Sequence, residues 1–523
     1  MSSFLHIFEK ALNSSNNMHT ISFSLASLFL FLFFLYKRLF TNPSKIQNLP
    51  PSPPKLPIIG HLHQLGTHPH RSFRSLSERY GELMLMYLGN RPTVIVSSAR
   101  VVKEIMKTND LVFSNRPKFS IYDKLMYNSR DVATAPYGEY WRQMKSICVL
   151  QLLSNRRVRT FKGIREEETA LLMEKIQQNI ASVINLSEML MVLTNDVVCR
   201  VAFGRKYSEN QVNGVDFKEV LKEFVQLFGK LSVGDFIPWL AWVNRFNGLD
   251  ARLERCAKKF DLILEDILTQ HSARTRNYIG SDSSENEEAK DFVDVLLEIQ
   301  KENSASFPLG RDSIKALILD TFAAGTDTVY TVLEWAMTEL LRKPVVMKIL
   351  QEEVRGIAGD KELISEDDLE EMKYLKAVIK ETLRLHIPTP LLVPRESTQD
   401  TKIDGYDIPA NTLVFVNAWA VQRDPAIWEG PEEFQPERFL TSAIDFKGTN
   451  FELIPFGGGR RICPGISLAI ANIELVLANL MHRFNWTLPA GIEGDTLDMS
   501  ESIGVTIHRK TPLLAVATPH IYH

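Results

Sequence analysis

Apolar and charged positions are spread unevenly along this chain of 523 residues. Ile21 to Tyr36 is a run of sixteen residues without a charge, rich in Leu and Phe. With Met18, His19 and Thr20 it approaches the ~20 residues that cross a bilayer core. Lys37 and Arg38 follow at once, which puts that end of a span on the cytosolic side. The run is long for a signal-peptide core, and no small-x-small cleavage site follows it. The pattern predicts a retained transmembrane helix over about 18–36, inside an anchor of residues 1–40. Residues 41–60 are basic and proline-rich. Pro50, Pro51, Pro53, Pro54 and Pro57 fix φ and push the residues before them out of the helical region, predicting an extended, stiff hinge.

From residue 61 to 523 no repeat and no shift of composition marks a second domain. Glu82–Leu88 and Thr93–Ser97 read as a hairpin around Gly89-Asn90. Arg165–Gln178, Asp216–Lys230, Ala251–Thr269 and Ser313–Arg342 carry helical periodicity, as does Ile466–Phe484. Ser281–Lys290 is polar and charged, a surface loop. Short strands are predicted at Thr412–Val416 and near Val505–Ile507. The expected fold class is mainly α with a small β-rich subdomain.

Composition adds exclusions. Lys plus Arg is 60 against 63 for Asp plus Glu, a formal net charge of −3, so nothing draws the chain toward nucleic acid. The four cysteines, Cys148, Cys199, Cys256 and Cys463, show no C-x-x-C spacing and are too sparse for a disulfide framework.

One cysteine stands in a distinctive setting, Pro455-Phe456-Gly457-Gly458-Gly459-Arg460-Arg461-Ile462-Cys463-Pro464-Gly465. The glycines let backbone approach a large flat ligand and take positive φ. Cys463 precedes an expected helix, whose N-terminal N–H groups and dipole favour an anion and lower a thiol pKa. A lone thiolate is wrong for structural zinc, which takes four ligands, and suits haem iron held through one axial sulfur.

The stretch resembles the haem-binding loop of the cytochrome P450 superfamily, F-x-x-G-x-R-x-C-x-G. Phe456, Gly459, Arg461, Cys463 and Gly465 fill its fixed positions. Further motifs agree. Glu381 and Arg384 match the family's E-x-x-R pair, one turn apart on a helix. Pro436-Glu437-Arg438-Phe439 matches the later P-x-R-F segment, so Glu381, Arg384 and Arg438 are implied to form a buried structural triad. Ala324, Gly325, Asp327 and Thr328 match A/G-G-x-D/E-T in the middle of the long predicted helix, where Gly-Thr-Asp-Thr is a poor local choice. The resemblance implies that Gly325 leaves room for dioxygen and that Thr328 and Asp327 deliver protons. Trp141 and Lys145 stand where the family has W-x-x-x-R, with Lys in place of Arg. Trp141, Lys145, Arg395 and Arg461 are implied haem-propionate partners, with Phe456 and Gly457 beside the cofactor and Cys463 as the iron ligand. Family position implies substrate contacts at Phe322, Ala323, Leu392 and Ile503.

The resemblance spans nearly the whole chain and is nearest the plant microsomal A-type clan, at the A subfamily of the seventy-first family. It implies the cytochrome P450 fold for 61–523, a single haem-thiolate catalytic domain binding haem b. The implied reaction turns a hydrophobic metabolite, dioxygen, two electrons and two protons into oxygenated product and water. The implied partners are an NADPH-cytochrome P450 reductase, cytochrome b5 and the endoplasmic reticulum membrane, with the catalytic domain cytosolic. The alternatives are a haem-thiolate isomerase or dehydratase acting without reductase, which such relatives often mark by losing the helix threonine, and a non-catalytic haem-binding membrane protein.

Overall fold

The structure is a computed structural model and describes residues 22–23, 25–34, 48–207, 211–212, 215–277, 290–302 and 308–521. The chain divides into two units, Met1–Leu49 and Pro50–His523. In the first unit residues 25–34 are helical and their large apolar side chains are exposed, Phe29 by 73%. Among the described residues no helix is long and apolar enough to cross a membrane. Residues 18–21, 24 and 35–36 of the expected span, and the expected loop at 281–289, lie outside the described residues.

The second unit is built on long helices. The principal ones are α1 (Pro69–Tyr80), α2 (Glu139–Ser146), α3 (Lys162–Gln177), α4 (Leu186–Phe203), α5 (Phe217–Phe228), α6 (Leu249–Asn277), α7 (Arg311–Arg342), α8 (Pro344–Ala358), α9 (Lys373–Leu385) and α10 (Ile466–Arg483). Local chemistry sets their ends. The residue before a proline is pushed out of the helical region, and Lys343 sits at φ −121, ψ 74 between α7 and α8. Pro344 then opens α8, where its missing N–H is no loss. Gly204 stops α4 with φ 69, the left-handed cap that glycine adopts without strain. The helix predicted at 313–342 keeps its course through Gly325-Thr326-Asp327-Thr328. Thr321, Thr326, Thr328 and Thr331 each return their hydroxyl to the carbonyl four residues back, at 2.6–3.0 Å.

The small sheets follow the predicted hairpin. Strands β1 (Leu83–Leu88) and β2 (Arg91–Val96) pair antiparallel, Leu83 opposite Val96. A second, three-stranded sheet uses β3 (Val183–Asn185), together with β6 (Phe484–Thr487) and β7 (Leu514–Pro519), in the order β6-β7-β3. Between these in sequence, β4 (Arg395–Glu396) and β5 (Leu413–Val416) complete the first sheet, in the order β1-β2-β5-β4. The strand expected near Val505–Ile507 does not form. Its backbone groups are taken elsewhere: Ile507 N–H bonds Pro388 O at 2.8 Å, and Ile507 O accepts Trp335 Nε1 at 2.9 Å.

The proline stretch is pinned to the second unit. Pro51 O accepts Leu85 N–H at 2.8 Å, His61 Nε2 lies 2.8 Å from Pro53 O, and Gln64 Nε2 donates to Pro54 O at 3.0 Å. Gly60, at φ 58, lies so close to strand β1 that an added Cβ would stand 2.1 Å from Tyr87 O. The core centres on α4 and α7, whose facing sides are buried along nearly their whole length.

Candidate active site

The loop before α10 closes on itself. Gly457 and Gly459 take φ 71 and 65, and a Cβ at Gly459 would stand 2.3 Å from Met106 O. Cys463 N–H bonds Phe456 O at 3.0 Å, and Gly465 N–H points at Cys463 Sγ from 3.3 Å. The helix begins at Ile466, so Pro464 and Gly465 separate the sulfur from its first turn. Burial pushes the Cys463 thiol up, and the Gly465 N–H and Lys145 offset only part of that. The lowered thiol expected from the helix N-terminus is therefore not realised by the protein alone. A cation at the sulfur would supply the missing counter-charge.

Cys463 shares one cavity with α7. The helix lines it through Asp320, Thr321, Ala324, Gly325, Thr328 and Val329, a face repeating at one-turn intervals. Thr328 Oγ1 donates to Ala324 O at 2.6 Å. Gly325 borders the cavity, but its missing side chain faces α4: an added Cβ would lie 3.1 Å from Val198 Cγ2. Leu392 and Phe456 are also in the wall, Leu392 in a left-handed conformation at φ 52.

Four sequence-predicted residues are not on this wall. Phe322 is 1% exposed and sits against Phe203 and Phe217, with ring centroids at 5.9 and 4.7 Å. Ala323 packs against the main core. At ~100° per residue, both point away from the face carrying Ala324 and Thr328. Ile503 is 74% exposed, on the loop that failed to become a strand. Asp327 also turns from the cavity, toward Thr506 and His508. Its Oδ2 is buried without a hydrogen bond, and burial pushes its carboxyl up.

The opposite rim is cationic. Arg116, Lys145, Arg395 and Arg461 line the cavity with Trp141. Arg461 donates to Ser114 O (2.8 Å), Val132 O (3.2 Å) and Ala135 O (2.7 Å), and its guanidinium lies 4.0 Å over the Trp141 ring. Arg395 donates to Gly458 O at 2.7 Å, with Asp110 at 3.9 Å. Arg116 donates to Ala133, Val393 and Pro394 carbonyls at 2.6–2.9 Å. Trp141 Nε1 is committed to Val132 O at 3.0 Å, and Lys145 Nζ to Ile462 O at 2.7 Å. Burial, and then mutual repulsion, pushes Arg461 down to about 9 and Arg116 well below its ordinary range; burial alone takes Arg395 to about 10. A buried set of like charges held by neutral carbonyls suits an anionic ligand. Haem brings two carboxylates and an iron cation, so this rim suits its carboxylates and the Cys463 sulfur its iron.

Behind the cavity Glu381, Arg384 and Arg438 are joined. Arg384 Nε and Nη2 meet the two Glu381 oxygens at 2.7 and 2.8 Å, and Arg438 Nε reaches Oε1 at 3.1 Å. Arg384 also donates to the carbonyls of Gln422, Pro431 and Glu433. Sequence reasoning missed Arg116 and Asp320, which line the cavity; Cys148, passed over as an ordinary thiol, lines it too, and Asp131 supports its wall. An acid directly after the apolar run Ala316–Leu319 was the available signal for Asp320.

The family model described as Cytochrome P450 matches residues 50–516, and the chain belongs to that family. It is 54% identical over 519 residues to cytochrome P450 736A117 of Prunus mume, covering 99% of each chain. Cytochrome P450 71A4 of Solanum melongena is 55% identical over 496 residues, 94% of this chain and 97% of that one. A protein of Strychnos sp named norfluorocurarine oxidase is 51% identical over 496 residues, again 94% and 97%. Among solved structures, a zebra fish cytochrome P450 with progesterone superposes with TM-score 0.74 at 27% identity, covering 86% of this chain and 99% of that chain. The resemblance to plant members of the 71A type therefore holds. The protein is a cytochrome P450 monooxygenase, and membership implies haem held by a cysteine thiolate, use of dioxygen, a redox partner and a small-molecule substrate.

Proposed function

We propose that this enzyme oxidises a hydrophobic plant specialised metabolite of the terpenoid, alkaloid, coumarin or aldoxime kind, with NADPH-derived electrons delivered by a separate reductase. The observation that carries the reading is that the Cys463 sulfur, Thr328 and an apolar wall including Val132, Ala324, Val329 and Val393 border one cavity. A relative named for oxidising norfluorocurarine supports a substrate of this general kind. Bound haem would supply dioxygen binding and activation. Cys463 would hold its iron, while Arg116, Arg395 and Arg461, with Lys145 and Trp141 beside them, would face its carboxylates. Thr328, whose hydroxyl borders the cavity, would move a proton at Oγ1; Asp327, turned toward Thr506 and His508, has no part in that step.

The experiment is product formation in reductase-supplemented microsomes, screened by mass spectrometry against a mixed plant metabolite extract. Dependence on both NADPH and dioxygen is expected, with a red-shifted Soret band in the ferrous carbon-monoxide adduct. Product without NADPH would return the isomerase or dehydratase reading. Thr328→Ala is expected to keep consuming NADPH while product per NADPH falls on the order of a hundredfold.

The anchored arrangement belongs to the same proposal: a single-pass anchor at 18–36 in the endoplasmic reticulum membrane, a hinge at 41–60, and the catalytic domain cytosolic, beside the reductase and cytochrome b5. Its support is the uncharged run followed by Lys37 and Arg38, together with exposed aromatics on the second unit. Trp239, Trp242 and Phe246 are 58, 56 and 82% exposed, and tryptophan favours the bilayer interface. Alkaline carbonate extraction of the full chain and of a chain lacking 1–40 tests it; release of the full chain would overturn it.

A further inference from the structure

We propose that Asp320 is a positioning residue that ties the cavity face of α7 to the arginine rim through the segment Asp131–Ala135. The proposal rests on the haem reading of the cavity. It starts from a carboxylate where none is expected. Ala316, Leu317, Ile318 and Leu319 before it are all buried, and an unpartnered carboxylate in such surroundings is costly. Asp320 finds its partners in backbone. Its Oδ2 accepts the N–H of Val132 at 2.9 Å and of Ala133 at 3.1 Å.

The same short segment is held from its other side. Val132 O accepts Trp141 Nε1 at 3.0 Å and Arg461 Nη1 at 3.2 Å. Ala133 O accepts Arg116 Nε at 2.9 Å, and Ala135 O accepts Arg461 Nη2 at 2.7 Å. Its N–H groups therefore face a carboxylate and its carbonyls face guanidinium groups. The peptide dipoles line up between the two charges, and one layer of backbone transmits the attraction. Asp131 closes the segment by accepting Thr134 N–H at 2.7 Å and the Thr134 hydroxyl.

Two consequences follow for the group this rim holds. Removing the Asp320 charge frees Val132 and Ala133 to shift, and the acceptors that aim Arg116, Arg461 and Trp141 shift with them. Where Asp320 is ionised, removing its negative charge beside the cavity also favours adding an electron there, so the reduction potential rises above about pH 8. A side chain that merely fills space would produce neither effect in an isosteric amide.

The test compares the wild-type holoprotein with Asp320→Asn and Asp320→Glu at pH 9, where the Asp320 carboxyl, raised to about 8 by burial and by Asp131, is ionised. It reads the rate of haem transfer to apomyoglobin and the midpoint potential by redox titration. Asp320→Asn is expected to release haem about tenfold faster and to titrate at a more positive potential, with Asp320→Glu close to wild type in both. Wild-type behaviour of Asp320→Asn, or equal damage in both variants, overturns the proposal. Should Asp320→Asn yield no folded holoprotein, hydrogen exchange of the wild-type holoprotein decides. Val132 and Ala133 amides exchanging as slowly as the interior of α7 support the tie, and exchange as fast as Tyr127–Ser129 overturns it. A wild-type chain that takes up no haem would sink the haem reading itself, a result separate from these comparisons.

Discussion

Arginines are buried both around Glu381 and around the cavity, and the surroundings of these two groups differ in one respect. Around Glu381 the guanidinium groups of Arg384 and Arg438 meet a carboxylate and several carbonyls, so charge is balanced inside the protein. Around the cavity, Arg116 and Arg461 meet only carbonyls and, among the described residues, form no ion pair. The first cluster is complete and belongs to the architecture. The second is complete only with an anion from outside, which marks it as a place for a ligand. Burial of arginine alone would not separate the two; the location of the counter-charge does.

The strongest way to break the comparison is Glu381→Gln. It strands two buried cations and is expected to cost about 3–5 kcal/mol, read as loss of folded protein in urea. Arg461→Ala should behave differently. It is expected to change urea stability of the haem-free chain little, because relief of like-charge repulsion offsets the three carbonyl hydrogen bonds lost, while haem affinity in a titration falls about 10–100-fold.

Acidity sharpens the contrast further. Burial, then Asp131, raises Asp320 from 3.8 to about 8. Between these values the folded state keeps a proton that the unfolded state has lost, so its contribution to stability falls as pH rises from about 4 to 8. Glu501 runs the other way. Burial would raise it, but hydrogen bonds from His70 and Arg71 outweigh that and bring it from 4.5 to about 2. Its contribution is present above pH 4.5 and is lost as pH falls toward 2. Urea midpoints across pH should flatten between 4 and 8 in Asp320→Asn and between 2 and 4.5 in Glu501→Gln. The smallest expected effect is Trp141→Phe, about 1 kcal/mol in thermal unfolding, because Val132 O keeps its bond from Arg461.

The parts legible in the sequence were those written in local spacing. Phe456 to Gly465 carries its own turn chemistry, and Glu381 with Arg384 needs only one turn of helix to meet. The hairpin announced itself through Gly89-Asn90. What stayed hidden depends on how elements pack. Phe322 and Thr328 lie on one helix, and only the position of α4 decides which of them borders the cavity. Helix α4 itself is apolar on most faces and so shows little periodicity. Arg116 and Asp320 are 204 positions apart in the chain, and they are connected only through the carbonyls and N–H groups of a segment with no motif of its own.

Gly325 carries a consequence for reshaping this enzyme. Its bare Cα lets the two longest-buried helices cross closely, with Val198 filling the gap. Residue 325 is thus a shim point: a methyl inserted there wedges the scaffold open, and trimming Val198 to alanine restores the clearance. Screening the two positions as a pair would adjust the width of the cavity wall in small steps.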